Sequence, residues 1–199
     1  MSKMNLPNKL TIFRVILIVP FIILLLGGQA GWFGDNTFVT DMIALAIFII
    51  ASLTDLIDGK IARKYNLITD FGKFMDPLAD KLMVFGALLG ILYRFEEIRF
   101  VFIWVAFIVI FRELAVTSMR LVVAGKSGEV IAAKWIGKVK TVTQIAAILV
   151  ILLEPALPRI EALPNRLLSY IAMAVMTLMT VWSGIDYLKS YWMYIKPGE

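Results

Sequence analysis

The sequence predicts an all-α integral membrane protein with six transmembrane helices in one bundle. Hydrophobic residues make up 60% of the chain and its mean hydropathy is +0.85, whereas soluble domains are about 45–50% apolar. The apolar residues fall into six runs, and most runs approach the roughly 20 residues that a helix needs to cross a bilayer. We see no internal repeat or soluble appendage, so we expect one membrane domain over residues 1–199.

Polar connections separate the six apolar runs. In chain order the runs cover residues 10–26, 42–54, 74–93, 100–123, 141–153 and 167–188. Pro7 suits the start of the first helix, and the glycine pair at 27–28 ends it. The fifth run is short, so its helix needs residues from Ile136 onward, and Glu154-Pro155 closes it.

The distribution of basic residues predicts the orientation in the membrane. Most Lys and Arg lie near the chain ends, in the corner 60–73 and in the loop 120–140, while acids offset the few arginines of the other connections. Because cytoplasmic connections carry an excess of Lys and Arg, we expect both termini and the 60–73 corner to face the cytoplasm. The predicted location is therefore the cell membrane, and no nucleic-acid partner is expected.

Four aspartates lie where the second run ends and the third begins. Asp55 and Asp58 are three residues apart, and Asp76 and Asp80 are four apart, so each pair lies on one face of a helix. The segment 65–70 between them is rich in turn-forming residues, which lets the two helices fold back with their acids facing. Four like charges this close repel one another unless a cation lies among them. The pattern indicates a divalent metal site.

The composition restricts which metal such a site would take. The chain contains neither Cys nor His, so the ligands must be oxygen atoms, which favours Mg²⁺ or Mn²⁺ over zinc. The alternative is that the acids are solvated charges paired with nearby bases, namely Lys60, Arg63, Lys64 and Lys81. Ionisable groups at membrane depth are costly and usually functional, which favours the metal site.

Small and basic residues accompany the aspartates. Gly59 and Gly72 carry no side chain, so a ligand or another backbone can approach closely there. Ala62 lies on the same helical stripe as Asp55 and leaves room above the metal. Arg63 is a planar, permanent cation that suits a phosphate oxygen.

The complete spacing resembles the signature of the CDP-alcohol phosphotransferase family. It reads Asp55-x2-Asp58-Gly59-x2-Ala62-Arg63-x8-Gly72-x3-Asp76-x3-Asp80. The resemblance implies that Asp55, Asp58 and Asp76 hold one metal ion, while Asp80 helps to hold a second and acts as general base. It also implies a homodimer and a CDP-lipid site, whose residues would be Asn8, Thr54, Gly59, Ala62, Arg63 and Gly72.

A second group of residues predicts the acceptor site. Arg14 interrupts the first apolar run, where it either extends to the interface or contacts phosphate; with Asn8 and Thr11 it resembles the family's N-terminal pattern. Arg112 and Arg120 lie on one stripe of the fourth helix, and Lys138 begins the fifth. The simpler alternatives are a buried Arg112–Glu113 ion pair and lysines that anchor to lipid headgroups.

The segments 112–120 and 137–141 resemble the phosphatidylglycerophosphate synthase branch of the family. That resemblance implies transfer of a phosphatidyl group from CDP-diacylglycerol to sn-glycerol 3-phosphate, with Arg14, Arg112, Arg120 and Lys138 binding the acceptor phosphate. Inositol phosphate, serine or phosphatidylglycerol as acceptor would use the same aspartates. A cation transporter is the alternative from another class. Transporters tend to show repeats and broken helices at the bilayer midplane, whereas here the acids cluster at the predicted cytoplasmic ends and no repeat is visible.

Overall fold

The computed structural model of the protein is a helical bundle. It describes residues 5–34, 36–65, 67, 69–127, 135–158 and 164–195, without the side chains of residues 63, 126, 127, 193 and 195. Over these residues the α-helices are α1 (Leu6–Gln29), α2 (Thr37–Lys64), α3 (Asp70–Arg94), α4 (Arg99–Ser127), α5 (Trp135–Leu153) and α6 (Leu167–Ile195), with short 3₁₀ helices at Glu96–Ile98 and Glu154–Ala156. The described residues contain no strand, which confirms the all-α class.

Five of the six helices are long and apolar enough to cross a membrane: α1, α2, α4, α5 and α6. Helix α3 differs because its first half carries the charged residues of the motif, namely Asp70, Lys73, Asp76, Asp80 and Lys81. Its longest stretch without a charged residue is 82–93. The structure thus confirms a membrane-type helical bundle, with five spans by length and composition. A sixth span through α3 stays a prediction.

The acid motif lies on the ends of two helices rather than in a loop. Helix α2 continues without interruption past Asp55 and Asp58 to Lys64. Helix α3 begins at Asp70, where the Thr69 side chain caps it by accepting a hydrogen bond from the Gly72 N–H at 3.0 Å. An N-cap of this kind satisfies an otherwise unpaired backbone donor. The cap fixes where α3 starts and hence where its two aspartates lie.

All six helices contribute to one hydrophobic core, which includes Phe21, Phe48, Leu88, Phe102, Ile148 and Met173. Helix α1 packs against α2 and α3, while α6 packs against α4 and α5. The contact between α1 and α3 is close because α3 presents glycines to α1. A Cβ added at Gly90 would lie 2.5 Å from Leu25 Cδ1, and one at Gly86 would lie 3.1 Å from Ile22 Cδ1. Small residues allow this approach of helices in membranes.

The bundle end opposite the aspartates is closed by charged pairs. Arg94 at the end of α3 grips Asp41 on α2 with two hydrogen bonds of 2.9 Å, and its third nitrogen donates to Gln29 of α1 at 3.0 Å. Glu154 accepts hydrogen bonds from the backbone N–H groups of Leu168 and Ser169 at 2.9 and 2.8 Å and so caps α6. The first group of contacts joins the far ends of α1, α2 and α3, and the second joins α6 to the 3₁₀ helix that follows α5.

Candidate active site

The signature aspartates come together around a buried arginine of α1. Arg14 Nη1 lies 2.6 Å from Asp55 Oδ1 and 2.8 Å from Asp80 Oδ1, and Arg14 Nη2 contacts Asp58 Oδ2. The carboxylates come from both α2 and α3, so the two helices do fold back with their acids facing. Three carboxylates thus converge on one cationic group.

The fourth aspartate contacts the same face of α1. The Thr11 hydroxyl lies 2.8 Å from Asp76 Oδ1, to which it donates, and Thr11 itself is buried. Thr11 and Arg14 are three residues apart, so they lie on one side of the helix. Helix α1 therefore supplies a donor to every aspartate of the signature.

Exposure varies across the three carboxylates that contact Arg14. The side chains of Arg14 and Asp58 are 0% and 6% exposed, whereas those of Asp55 and Asp80 are 28% and 52% exposed. A buried guanidinium is tolerated only when it is well paired, which explains the convergence of three acids. The site opens to solvent beside Asp80.

The donor set fits a hard divalent cation, although Arg14 now lies among the acids. Carboxylate oxygens are the ligands that Mg²⁺ and Mn²⁺ prefer, and four carboxylates face one guanidinium, so negative charge is in excess. As they are placed, the acids of the described residues form no group able to hold a metal ion. Among the described side chains, the cation that forms ion pairs with these aspartates is Arg14, rather than Lys60, Lys64 or Lys81.

Two residues predicted to bind the CDP-lipid, Asn8 and Gly72, meet where α1 and α3 begin. Gly72 is buried, and a Cβ there would lie 3.0 Å from Asn8 Oδ1, so the first turns of α1 and α3 touch at this glycine. Asn8 Oδ1 also accepts a hydrogen bond from the Thr69 hydroxyl at 3.1 Å. The first turn of α1 and the start of α3 therefore form one wall beside the aspartates.

The remaining members of this set lie on α2. The Thr54 hydroxyl donates to the Ala51 carbonyl at 2.7 Å, directly before Asp55. Gly59 and Ala62 are partly buried on the turns that follow. Arg63 belongs to α2, but its side chain lies outside the described part of the structure.

Two of the predicted acceptor-binding arginines converge on α6. Arg112 and Arg120 both lie over the ring of Tyr187, with guanidinium-to-centroid distances of 5.5 and 5.1 Å, and Arg120 donates to the Tyr187 hydroxyl at 2.6 Å. The other two predicted residues make no hydrogen bond or ring contact with Tyr187 in the described part of the structure. Arg14 lies on the aspartates, and the side chain of Lys138 is exposed on α5.

Sequence reasoning missed Lys140 and Gln144 and did not assign Glu113 a functional role. Lys140 is buried and pairs with Glu113, which also accepts from Arg112 at 3.0 Å. A cavity of about 100 Å³ lies between these residues and the acids; among its lining residues are Asp55, Asp80, Glu113, Lys140 and Gln144. None of the four residues predicted to bind the acceptor lines this cavity, although Arg112 contacts Glu113, which does.

The spacing of polar residues along α5 could have identified Lys140 from the sequence. Residues two apart on a helix point about 200° apart, so Lys138 and Lys140 lie on opposite faces. Gln144 follows Lys140 by four residues and shares its face. Two polar residues at that spacing inside an apolar run indicate which face of α5 is turned toward a polar site inside the bundle.

Comparison with known proteins identifies the family. The sequence profile described as CDP-alcohol phosphatidyltransferase matches residues 4–182, which include every signature position. The chain belongs to the CDP-alcohol phosphatidyltransferase family. This membership confirms the resemblance drawn from the aspartate spacing.

Named relatives of this CDP-alcohol phosphatidyltransferase cover nearly its whole length. A Bacillus subtilis protein named CDP-diacylglycerol--glycerol-3-phosphate 3-phosphatidyltransferase is 44% identical, with 98% of this chain and 99% of the relative covered. A Yersinia pestis protein of the same name is 34% identical, with 96% of each chain covered. A Mycobacterium tuberculosis protein named probable phosphatidylglycerophosphate synthase is 36% identical over 92% of this chain and 80% of the relative.

Proposed function

We propose that this protein transfers the phosphatidyl group of CDP-diacylglycerol to sn-glycerol 3-phosphate, giving phosphatidylglycerophosphate and CMP in phospholipid synthesis. The observation that carries the proposal is the cavity that joins Asp55 and Asp80 to Lys140 and Glu113. It supports the proposal because carboxylates that could hold metal ions on a diphosphate share a cavity with a buried lysine that could meet a second phosphate. Relatives that bear the name of this enzyme cover the chain almost completely.

In this proposal the aspartates hold two divalent ions, Mg²⁺ or Mn²⁺. Asp55, Asp58 and Asp76 would hold one, and Asp80 would help to hold the other. Bound ions would neutralise the charge on the diphosphate and stabilise its displacement. Because Arg14 now contacts three of these carboxylates, it must release some of them, and its guanidinium then becomes available for a phosphate oxygen.

Asp80 is the proposed general base. Its carboxylate is the most exposed of the three that contact Arg14, and it lines the cavity. It would take the proton of the acceptor hydroxyl as the hydroxyl oxygen bonds to the lipid-bearing phosphorus. The bond from that phosphorus to the CMP oxygen breaks, and CMP leaves. A positioned base of this kind contributes about 10²–10⁴-fold to the rate.

The acceptor phosphate would bind among the cations of α4 and α5. Arg112 and Arg120 are the proposed principal contacts, with Lys140 added because it lines the cavity beside Asp80. Lys138 is exposed near the start of α5 and would meet the acceptor at the entrance. Guanidinium groups suit this role because they grip phosphate oxygens bidentately.

The CDP-lipid would lie at the corner between α2 and α3. Its cytidine diphosphate would contact Asn8, Thr54, Gly59, Ala62, Arg63 and Gly72, and its acyl chains would follow a groove between helices. We further propose one six-span membrane domain that acts as a homodimer in the cell membrane, with its termini and aspartates in the cytoplasm.

The proposed topology can be tested with single cysteines, since the chain has none. We expect cysteines that replace Asn36 and Glu97 to react with a membrane-impermeant thiol reagent in intact cells. A cysteine replacing Tyr65 should react only after permeabilisation. All three positions are exposed, and permeabilised cells control for reactivity. Labelling of Glu97 and Tyr65 positions from the same side would show that α3 does not cross.

The reaction itself is tested by CMP release from CDP-diacylglycerol with purified protein and Mg²⁺ or Mn²⁺. Glycerol 3-phosphate, inositol phosphate, serine and phosphatidylglycerol are supplied separately as acceptors. We expect CMP release with glycerol 3-phosphate to exceed that with each other acceptor at least tenfold. Equal or greater release with another acceptor would overturn the acceptor assignment, and no release with any of them would overturn the enzyme.

A further inference from the structure

Gln144 is a buried polar residue whose amide nitrogen has no hydrogen-bond partner among the described residues. It lies inside α5, its side chain is 1% exposed, and its amide nitrogen Nε2 makes no hydrogen bond within the described structure. Buried amides are nearly always paired because an unpaired one loses its hydration without compensation. The position of Gln144 therefore indicates a partner outside the polypeptide.

The cavity next to Gln144 has room for such a partner. Its volume of about 100 Å³ exceeds the ~10–15 Å³ that one water requires on the same measure. Gln144 lies one helical turn deeper on α5 than Lys140, and Asp80 of α3 also borders the cavity. The carboxylate of Asp80, the ammonium group of Lys140 and the amide of Gln144 therefore line one cavity.

We propose that Gln144 hydrogen-bonds the C2 hydroxyl of glycerol 3-phosphate and determines specificity for that acceptor. The inference rests on the proposed function. The reacting C1 hydroxyl must lie at Asp80, and the phosphate must lie toward Lys140 and Arg112. The middle hydroxyl of the three-carbon chain is then the polar group left for the amide of Gln144.

The test compares two acceptors that differ in one hydroxyl. Glycerol 3-phosphate and 3-hydroxypropyl phosphate, which lacks the C2 hydroxyl, are supplied to the wild-type protein and to Gln144→Met. Methionine keeps the length of the side chain and removes its amide. We expect the wild type to prefer glycerol 3-phosphate by about tenfold in kcat/KM, the scale of one neutral hydrogen bond. In Gln144→Met the preference should fall to within about twofold.

The loss should be selective. Gln144→Met should lower kcat/KM for glycerol 3-phosphate and leave 3-hydroxypropyl phosphate and the KM for CDP-diacylglycerol unchanged. Thr143→Val is the matched control, because Thr143 is a neighbouring polar residue that donates to the Lys140 carbonyl at 2.8 Å and does not line this cavity. It should keep the wild-type preference.

Two results would overturn the assignment. An unchanged preference in Gln144→Met, whether or not both acceptors lose activity equally, would leave Gln144 with a structural role at most. If Gln144→Met does not fold, as judged by Tm in detergent, the wild-type arm still decides, because a wild type that does not distinguish the two acceptors refutes the contact. Failure of the proposed function would give a different result from either of these, because the wild type would then release no CMP with glycerol 3-phosphate.

Discussion

Asp80→Asn is expected to lower phosphatidyl transfer at least about 100-fold, the lower limit for loss of a positioned base, while the protein still inserts and folds. Asparagine cannot take the proton of the acceptor hydroxyl, and it removes one negative charge from the group of four aspartates. The neighbouring substitutions Asp55→Asn and Asp76→Asn should abolish transfer as well, since no imidazole or thiol is present as a substitute ligand. CMP release from CDP-diacylglycerol measures each effect.

Asp70→Asn is the matched control for these variants. Asp70 belongs to the same helix, but its side chain is 97% exposed and pairs with the exposed Lys73 at 3.0 Å. An exposed pair of this kind contributes little to stability, so we expect near-normal turnover. A folded Asp80→Asn variant with near-normal turnover would refute the assignment of Asp80 as base.

Arg112→Ala is expected to raise the KM for glycerol 3-phosphate by roughly 10- to 150-fold, equivalent to about 1.5–3 kcal/mol, the scale of one charge-assisted hydrogen bond. The KM for CDP-diacylglycerol should change little, because the aspartates and Arg63 are proposed to hold that substrate. Arg120→Ala should act in the same direction, since both guanidinium groups converge on Tyr187. Steady-state kinetics with each substrate varied separately provides the measurement.

Two further variants separate charge from packing at this site. Arg112 lies over Tyr187 and close to Gly184, so alanine also removes packing. Arg112→Lys keeps the positive charge but loses the planar guanidinium group that can bind two phosphate oxygens at once. We therefore expect its KM for glycerol 3-phosphate to lie between those of the wild type and Arg112→Ala. Arg99→Ala removes a cation at the opposite end of the bundle and should leave both KM values unchanged. If Arg112→Ala instead raised only the KM for the CDP-lipid, the acceptor site would be misplaced.

Local sequence features were enough to predict the helices and the facing acids. Apolar runs long enough to cross a bilayer correspond to helices in the structure, and spacings of three and four residues place each aspartate pair on one face. These features depend only on neighbours in the chain. Helix α3 was harder to classify because the same residues that make the signature recognisable also shorten its apolar stretch.

The position of Arg14 could not be predicted from the sequence. Its contact with Asp55, Asp58 and Asp80 joins three helices and depends on how closely α1 approaches α3, which is a property of packing between distant segments. Gln144 was overlooked for another reason. It is one polar residue in an apolar run, and a single polar residue does not change the prediction of a membrane span. Only its position on the same helix face as Lys140 would have indicated a functional role.

The glycines of α3 that face α1 have a consequence for the opposite end of the helix. An α-helix rises ~1.5 Å per residue, so Gly90 lies about 15 Å from Asp80 along the axis of α3. Because a helix is stiff, a displacement at one end also moves the other end. A methyl group at Gly90 would lie 2.5 Å from Leu25 Cδ1 and 3.4 Å from Leu25 Cβ, so Leu25 or the helix that carries it would have to move. The other ends of the two helices carry Thr11 and Arg14 on α1 and Asp76 and Asp80 on α3. The spacing of the charges therefore depends on the absence of a side chain at the opposite end of α3, at a residue with no functional group to lose.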